Sequence, residues 1–174
     1  IPHTIKGTSM TSYYKMFAET SGVEQVISDN KNIVTVFGMF NSATSDSLDL
    51  SHFDTSNLTN SAMLFMYSNI KTVNLENFDT SKVSNMSFMF AYSDFESLNL
   101  LGFKTLNVTN MSYMFQDSKV KTLDLSSFEL SSTVNVGSTF HLAQATVGYA
   151  KNQQTADLFN NSVNKEPTLT FTVK

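Results

Sequence analysis

The sequence predicts an α/β solenoid of 25-residue coils, each a short parallel strand followed by a short helix, closed at its C-terminus by a strand-helix-strand cap. Three observations predict it. Val73-x-Leu75-x-x-Phe78, Leu98-x-Leu100-x-x-Phe103 and Leu123-x-Leu125-x-x-Phe128 repeat one phrase at a fixed interval of 25, with Leu48-x-Leu50-x-x-Phe53 an earlier copy. Phe65, Phe90, Phe115 and Phe140 recur at the same step, with Phe40 one step earlier and Phe17 23 residues before that. Within each copy the apolar period changes from alternation to helical spacing. A repeat of about 20 to 50 residues signals a stack of units that contact only their neighbours, because one coil alone leaves its apolar faces and strand edges open.

Degenerate coils fill residues 1–41 and regular ones 42–145. In a regular copy, Leu98 and Leu100 alternate with Asn99, as a strand buried on one side does. Val108, Met111, Met114 and Phe115 then fall at i, i+3, i+6 and i+7, which predicts about two helical turns. Thr55 and Ser56, or Thr80 and Ser81, can cap those turns by accepting bonds from free amide groups, as can Asp54 and Asp79 just upstream. Val147 and Tyr149 follow Leu123 and Leu125 by 24 residues and mark the last coil's strand. Ala156, Leu158 and Phe159 then predict a helix within 152–161, and Leu169, Phe171 and Val173 alternate as a strand. Residues 146–174 thus read as a cap that covers the open core and sheet edge of the final coil.

Composition narrows the function. The chain has 174 residues and is 41% hydrophobic, enough for a core and against disorder. Its 11 basic residues are all Lys and the net charge is −4, which leaves no basic stripe for nucleic acid. The absence of Cys excludes a disulfide scaffold, a thiolate metal site and a Cys nucleophile. No apolar stretch approaches the ~20 residues of a membrane span. His3, His52 and His141 lie in different coils without i, i+4 pairing, so no zinc site is expected. Asp54 and Asp79 start a column that continues with Lys104 and Glu129, and a Lys in that row would repel a cation. No Gly-rich phosphate loop or nucleophile elbow supports an enzyme, and no cofactor is implied. Because the chain opens at Ile1 and enters repeat sequence almost at once, it is expected to be a piece of a larger protein, from which a signal or anchor could have been cut.

Asp79-Thr-Ser-Lys-Val-Ser-Asn-Met-Ser-Phe-Met-Phe90 and Leu106-Asn-Val-Thr-Asn-Met-Ser-Tyr-Met-Phe115 resemble the BspA-type leucine-rich repeat surface proteins of low-GC Gram-positive bacteria. The resemblance is close over residues 45–140 and weaker over 5–41. It implies a leucine-rich-repeat-type topology, with Phe78, Phe103 and Phe128 where the common consensus has Asn. It also implies an extracellular array on a bacterial cell surface or cell wall, with host mucin glycans or extracellular matrix and epithelial proteins as partners, and no common catalytic motif. Ser61 and Leu64, where other copies have Met, and Thr133, where they have Val, depart from the pattern and mark less regular coils.

In a leucine-rich solenoid the residue between the two strand Leu positions points out of the sheet. That places Asp49, Asn74, Asn99 and Asp124 in one polar row, with Gly148 next, flanked by Ser47, Thr72, Ser97 and Thr122 and by Lys71, Glu96 and Lys121. Amides and carboxylates in a row suit hydrogen bonding to sugar hydroxyls or a peptide backbone; the plainer alternative is a solvated sheet face. A second column, Met63, Phe88 and Tyr113 with Tyr67 and Tyr92 nearby, could stack on sugar rings or meet a partner protein, or could simply wedge between coils. Asn60, Asn85, Asn110 and Asn135 form the most regular polar column, which points to a structural hydrogen-bond ladder. The expected function is adhesion, by multivalent weak binding of mucin-type glycans or host proteins to the repeat surface. The alternative is a non-binding stalk that presents another adhesive domain.

Overall fold

Seven short strands stack in parallel along one face of the chain. The computed structural model describes residues 2–5 and 10–174; the remaining positions of the first predicted coil, 1 and 6–9, lie outside the described residues. The strands are β1 (Pro2–Ile5), β2 (Gln25–Ser28), β3 (Thr44–Asp49), β4 (Asn69–Asn74), β5 (Thr122–Leu125), β6 (Val147–Ala150) and β7 (Thr170–Val173), with helix α1 (Gln153–Asn160) between the last two. β1 to β4 form one sheet in chain order and β5 to β7 another. Every pairing is parallel, and the register confirms the repeat: Leu48 lies opposite Val73 and Asp49 opposite Asn74. The molecule is a parallel-strand solenoid of seven or so turns with one short helix among the described residues.

The predicted helices within the regular coils are not formed. Their apolar spacing is produced instead by a train of tight turns, because two residues per coil adopt the left-handed conformation: Met63 and Tyr67 (φ 57° and 59°), Phe88 and Tyr92 (57° each), Tyr113 and Asp117 (59° and 48°). A left-handed residue cannot continue a right-handed α-helix. The amide groups divide accordingly. Met111, Tyr113, Phe115 and Asp117 donate to the carbonyls of Asn135, Gly137, Thr139 and His141 in the next coil at 2.8 to 3.1 Å, while Met114, Gln116 and Ser118 donate back three residues within their own coil. Every second amide therefore ties coil to coil, and the backbone is satisfied without helix.

The core is a column of rings. Phe17, Phe40, Phe65, Phe90, Phe115 and Phe140 stack at centroid separations of 5.5 to 6.0 Å and within 12° of parallel. Phe78, Phe103 and Phe128 form a shorter stack at 6.3 Å. The cap closes the long column: Phe159 meets Phe140 edge-on at 5.3 Å, and Phe171 lies 4.8 Å from Phe140. Asn152 begins α1 by accepting the Thr155 N–H at 2.9 Å.

The Asn column lies where expected, and its side chains satisfy backbone amides at the turn. Asn60, Asn85, Asn110 and Asn135 are joined coil to coil by parallel backbone bridges. Each side-chain oxygen accepts the N–H two residues on in its own coil, from Ala62, Ser87, Ser112 and Gly137 at 2.9 to 3.0 Å. Asp54 and Asp79 make the same local bond, to the Ser56 and Ser81 amides. Thr55 and Thr80 instead accept from the following coil, from the Asp79 and Lys104 amides at 2.7 and 2.8 Å. Val134 rather than Thr133 fills the position of Val108, since it is buried and donates to the Ser131 carbonyl as Val108 does to Thr105.

Two strand expectations are corrected. Among the described residues, 95–100 carry no strand, so Leu98-Asn99-Leu100 interrupts the sheet between β4 and β5. Phe95 stands in the column of Ile70 and Val120, fully buried and edge-on to Phe65 and Phe90 at 5.4 and 5.9 Å. Phe95 thus puts a larger ring in a column that holds Ile70 and Val120 in the neighbouring coils. In β6 the register is 25 rather than 24: Gly148 lies opposite Leu123 and Tyr149 opposite Asp124. Gly148 therefore faces the core, and Tyr149 takes the outward position expected for Gly148.

Candidate functional site

The outward row is half consumed by the fold. Asp49 Oδ1 accepts the Ser51 N–H at 3.0 Å and the Asn74 amide at 3.0 Å, and its Oδ2 accepts from Gln25 at 2.9 Å. Asn74 and Asn99 hold the Glu76 and Leu101 amides at 3.0 and 3.2 Å. Asp124 accepts from Ser126 and, at 2.5 Å, from Lys174 of the cap, whose ammonium also sits 5.3 Å from the Tyr149 ring centre. The Ser51 backbone amide, acting against partial burial, holds the Asp49 carboxyl below its ordinary value. Burial pushes Asp124 up, but Lys174 and Ser126 outweigh it and the net direction is down. Both carboxylates are thus fixed as anions.

Of the flanking charges, Lys71 bonds Asn69 at 2.7 Å and reaches Asp94 at 3.4 Å, and Lys121 bonds Gln144 at 2.7 Å. Glu96 is exposed, and its amide donates to the Lys71 carbonyl at 3.0 Å. Asp94 lies between Lys119 at 2.6 Å and Lys71.

A groove of about 800 Å³ lies at the corner of this face, between residues 73–79 of one coil and 99–104 of the next. Val73, Asn74, Leu75, Asn99, Leu101 and Lys104 are among its lining residues. Val73, Leu75 and Leu98 are half-buried, whereas Leu48, Leu50, Leu100, Leu123 and Leu125 at matching positions are buried, so partly exposed apolar side chains lie beside two amides. Lys104 and Asp79 pair across the far wall at 3.8 Å. The row places Asn74 and Asn99 in this groove, while Asp49 and Asp124 lie outside it. Sequence reading missed the groove, whose lining comes from the corners of two successive coils.

The aromatic column resolves into two stacks. Phe88 and Tyr113 lie 4.7 Å apart at 11°, and Tyr67 and Tyr92 lie 4.5 Å apart at 14°. Phe88, Tyr92 and Tyr113 are half-buried, but Tyr67 is 52% exposed. Among the described residues no group of three or more His, Asp or Glu is placed to hold a metal ion.

A parallel-strand solenoid of 25-residue coils, with a polar row, a groove and paired aromatics along it, is a repeat protein. The chain belongs to the family described as Mycoplasma protein of unknown function, DUF285, which matches residues 4–73 and 39–155. Comparison with curated proteins and with solved structures gives no match.

Proposed function

We propose that this chain is an extracellular adhesion module of a bacterial surface protein, of the BspA-type leucine-rich-repeat kind, that binds mucin-type glycans or host matrix proteins through its repeat surface. One observation carries the reading: the groove beside the sheet interruption, where half-buried Val73 and Leu75 adjoin the amides of Asn74 and Asn99. A concave site of that volume, part apolar and part amide, suits one or two sugar rings or a short extended peptide. The reading is of a binding rather than a catalytic surface.

Contact through the strand face would be weak. Seven strands at ~4.8 Å spacing make a face roughly 30 Å long and ~15 Å wide, or about 450 Å², against ~800 Å² per partner for a usual protein interface. Firm attachment would then come from many copies engaging together.

A second reading is favoured by a specific observation: Asp49, Asn74 and Asp124 spend their side-chain groups on the fold itself. That is what a non-binding stalk, presenting another adhesive domain, requires. Titrating the chain against an array of mucin glycans and matrix proteins decides between them. Binding that is lost in Asn74→Lys with Asn99→Lys, and in the surface variant Leu101→Asp, supports adhesion. No binding by the folded chain at high concentration supports the stalk.

A further inference from the structure

The stacked tyrosines form a second surface feature that shares no residue with the groove. Tyr67 and Tyr92 both hold left-handed backbone, at φ 59° and 57°. That conformation disfavours bulky side chains and is met in the neighbouring column by Gly38. Aromatic residues at strained positions, one of them 52% exposed, are poorly explained by burial alone.

The stack has one covered face and one open face. Tyr92 covers one side of Tyr67 at 4.5 Å, close to the spacing of successive coils. On the other side, the same column one coil earlier holds Ser42, itself left-handed at φ 57° and exposed. A side chain as short as Ser leaves the layer above the Tyr67 ring to a ligand one ring thick. The hydroxyl of Ser42 donates to Asn41 Oδ1 at 3.0 Å, so this position of the preceding coil carries a paired hydroxyl and amide. At the opposite end of the column Asp117 follows Tyr92, and Gln116 bonds His141 at 3.3 Å. The other stack lacks this opening: Phe88 and Tyr113 are half-buried, and Met63 precedes Phe88 in its column.

We propose that the open face of Tyr67, with Ser42 and Asn41 beside it, is a binding site for one neutral pyranose ring. The apolar CH face of such a sugar lies on the tyrosine ring, while its hydroxyls meet the hydroxyl and amide at the edge. The tyrosine column carries two carboxylates, Glu19 one coil beyond Ser42 and Asp117 beyond Tyr92, which disfavour sialylated or sulfated sugars. The proposal goes beyond the groove reading, and each can fail while the other stands.

The test is a titration of the intact chain with lactose, maltose and cellobiose, and with 3′-sialyllactose as the anionic counterpart, followed through the Tyr ring NMR signals. The expected result is that at least one neutral disaccharide shifts Tyr67, and that 3′-sialyllactose binds more weakly than lactose wherever lactose binds. Tyr67→Phe should retain binding. Ser42→Tyr, which fills the open layer with a residue the column already accommodates at the same φ, should weaken it by at least about fivefold. Asn74→Lys with Asn99→Lys should leave it unchanged. The proposal is overturned if none of the three neutral sugars shifts Tyr67, if Ser42→Tyr binds as well as the parent, or if the sialylated sugar binds more tightly.

Discussion

A Cβ added to Gly148 would stand 2.4 Å from Cδ1 of Phe171, closer than two carbon atoms can approach. Phe171 in turn packs on Phe140 and Phe159, so the last coil and the cap meet at a position that only glycine fills. Gly148→Ala should therefore destabilise the chain by about 1–3 kcal/mol. The damage should centre on β6, α1 and β7, which amide hydrogen exchange would show as lost protection after residue 147. Equal loss throughout the chain would contradict this.

Removing a ring from the middle of the core column should be far more costly than removing one at the surface. Phe90 is fully buried and stacked at 5.6 Å on both Phe65 and Phe115, and Phe95 rests against it edge-on. Phe90→Ala should cost about 3–5 kcal/mol in urea unfolding. Phe88→Ala, which removes a half-buried ring, should cost less than half of that. Similar costs for the two would mean that the column is not the main store of stability.

The Asn column supplies a separate, smaller term. Asn85 Oδ1 accepts the Ser87 N–H at 3.0 Å, and Ser87 itself is buried. Asn85→Ala leaves that donor without its partner and should cost about 1–2 kcal/mol, whereas Asn85→Asp, which keeps the acceptor, should cost less. Thermal unfolding of the two variants checks the order.

Acid should weaken the fold through a few carboxylates. The hydrogen bond from Lys119 holds Asp94 below its ordinary value, with Lys71 adding to it. Burial raises Asp79, but the Ser81 amide and hydroxyl and then Lys104 bring it below its ordinary value on balance. A folded pKa below the unfolded one means that the unfolded chain takes up protons first. The stabilisation is therefore complete above about pH 5, declines as pH falls below the unfolded value near 4, and is gone below the folded value. Asp94→Asn should flatten the loss of stability between about pH 5 and 3, by less than about 1 kcal/mol because both lysines are substantially exposed. An unchanged pH slope would remove Asp94 from the account.

The 25-residue interval made the coil, the Phe column and the Asn column legible, because each rests on identical residues in identical environments. Helix was misread because a train of turns places Val108, Met111, Met114 and Phe115 inward at spacings a helix would also use. The left-handed positions that exclude helix carry Met63, Phe88 and Tyr113 rather than glycine, so the usual local signal was missing. The one-residue error in β6 has a similar origin: Val147 and Tyr149 imitate a Leu-x-Leu strand, while the inward positions are the small Gly148 and Ala150. Of the polar row, position was readable, but the turn-capping bonds of Asp49, Asn74, Asn99 and Asp124 were not, since they depend on the bend that follows each strand. The groove is formed by the corners at 73–79 and 99–104 of two successive coils, and such a concavity depends on how neighbouring coils stack rather than on the pattern within one coil.

The central claim is that ligands enter the groove at the sheet interruption. Backbone amide shifts of the chain, followed by NMR while mucin O-glycans and matrix peptides are added, test it most directly. The account predicts concentration-dependent shifts clustered within residues 73–79 and 99–104, with weak monovalent affinity, and their loss in Asn74→Lys with Asn99→Lys. Binding that leaves those residues unmoved, or no shift anywhere with any of these ligands, would contradict it.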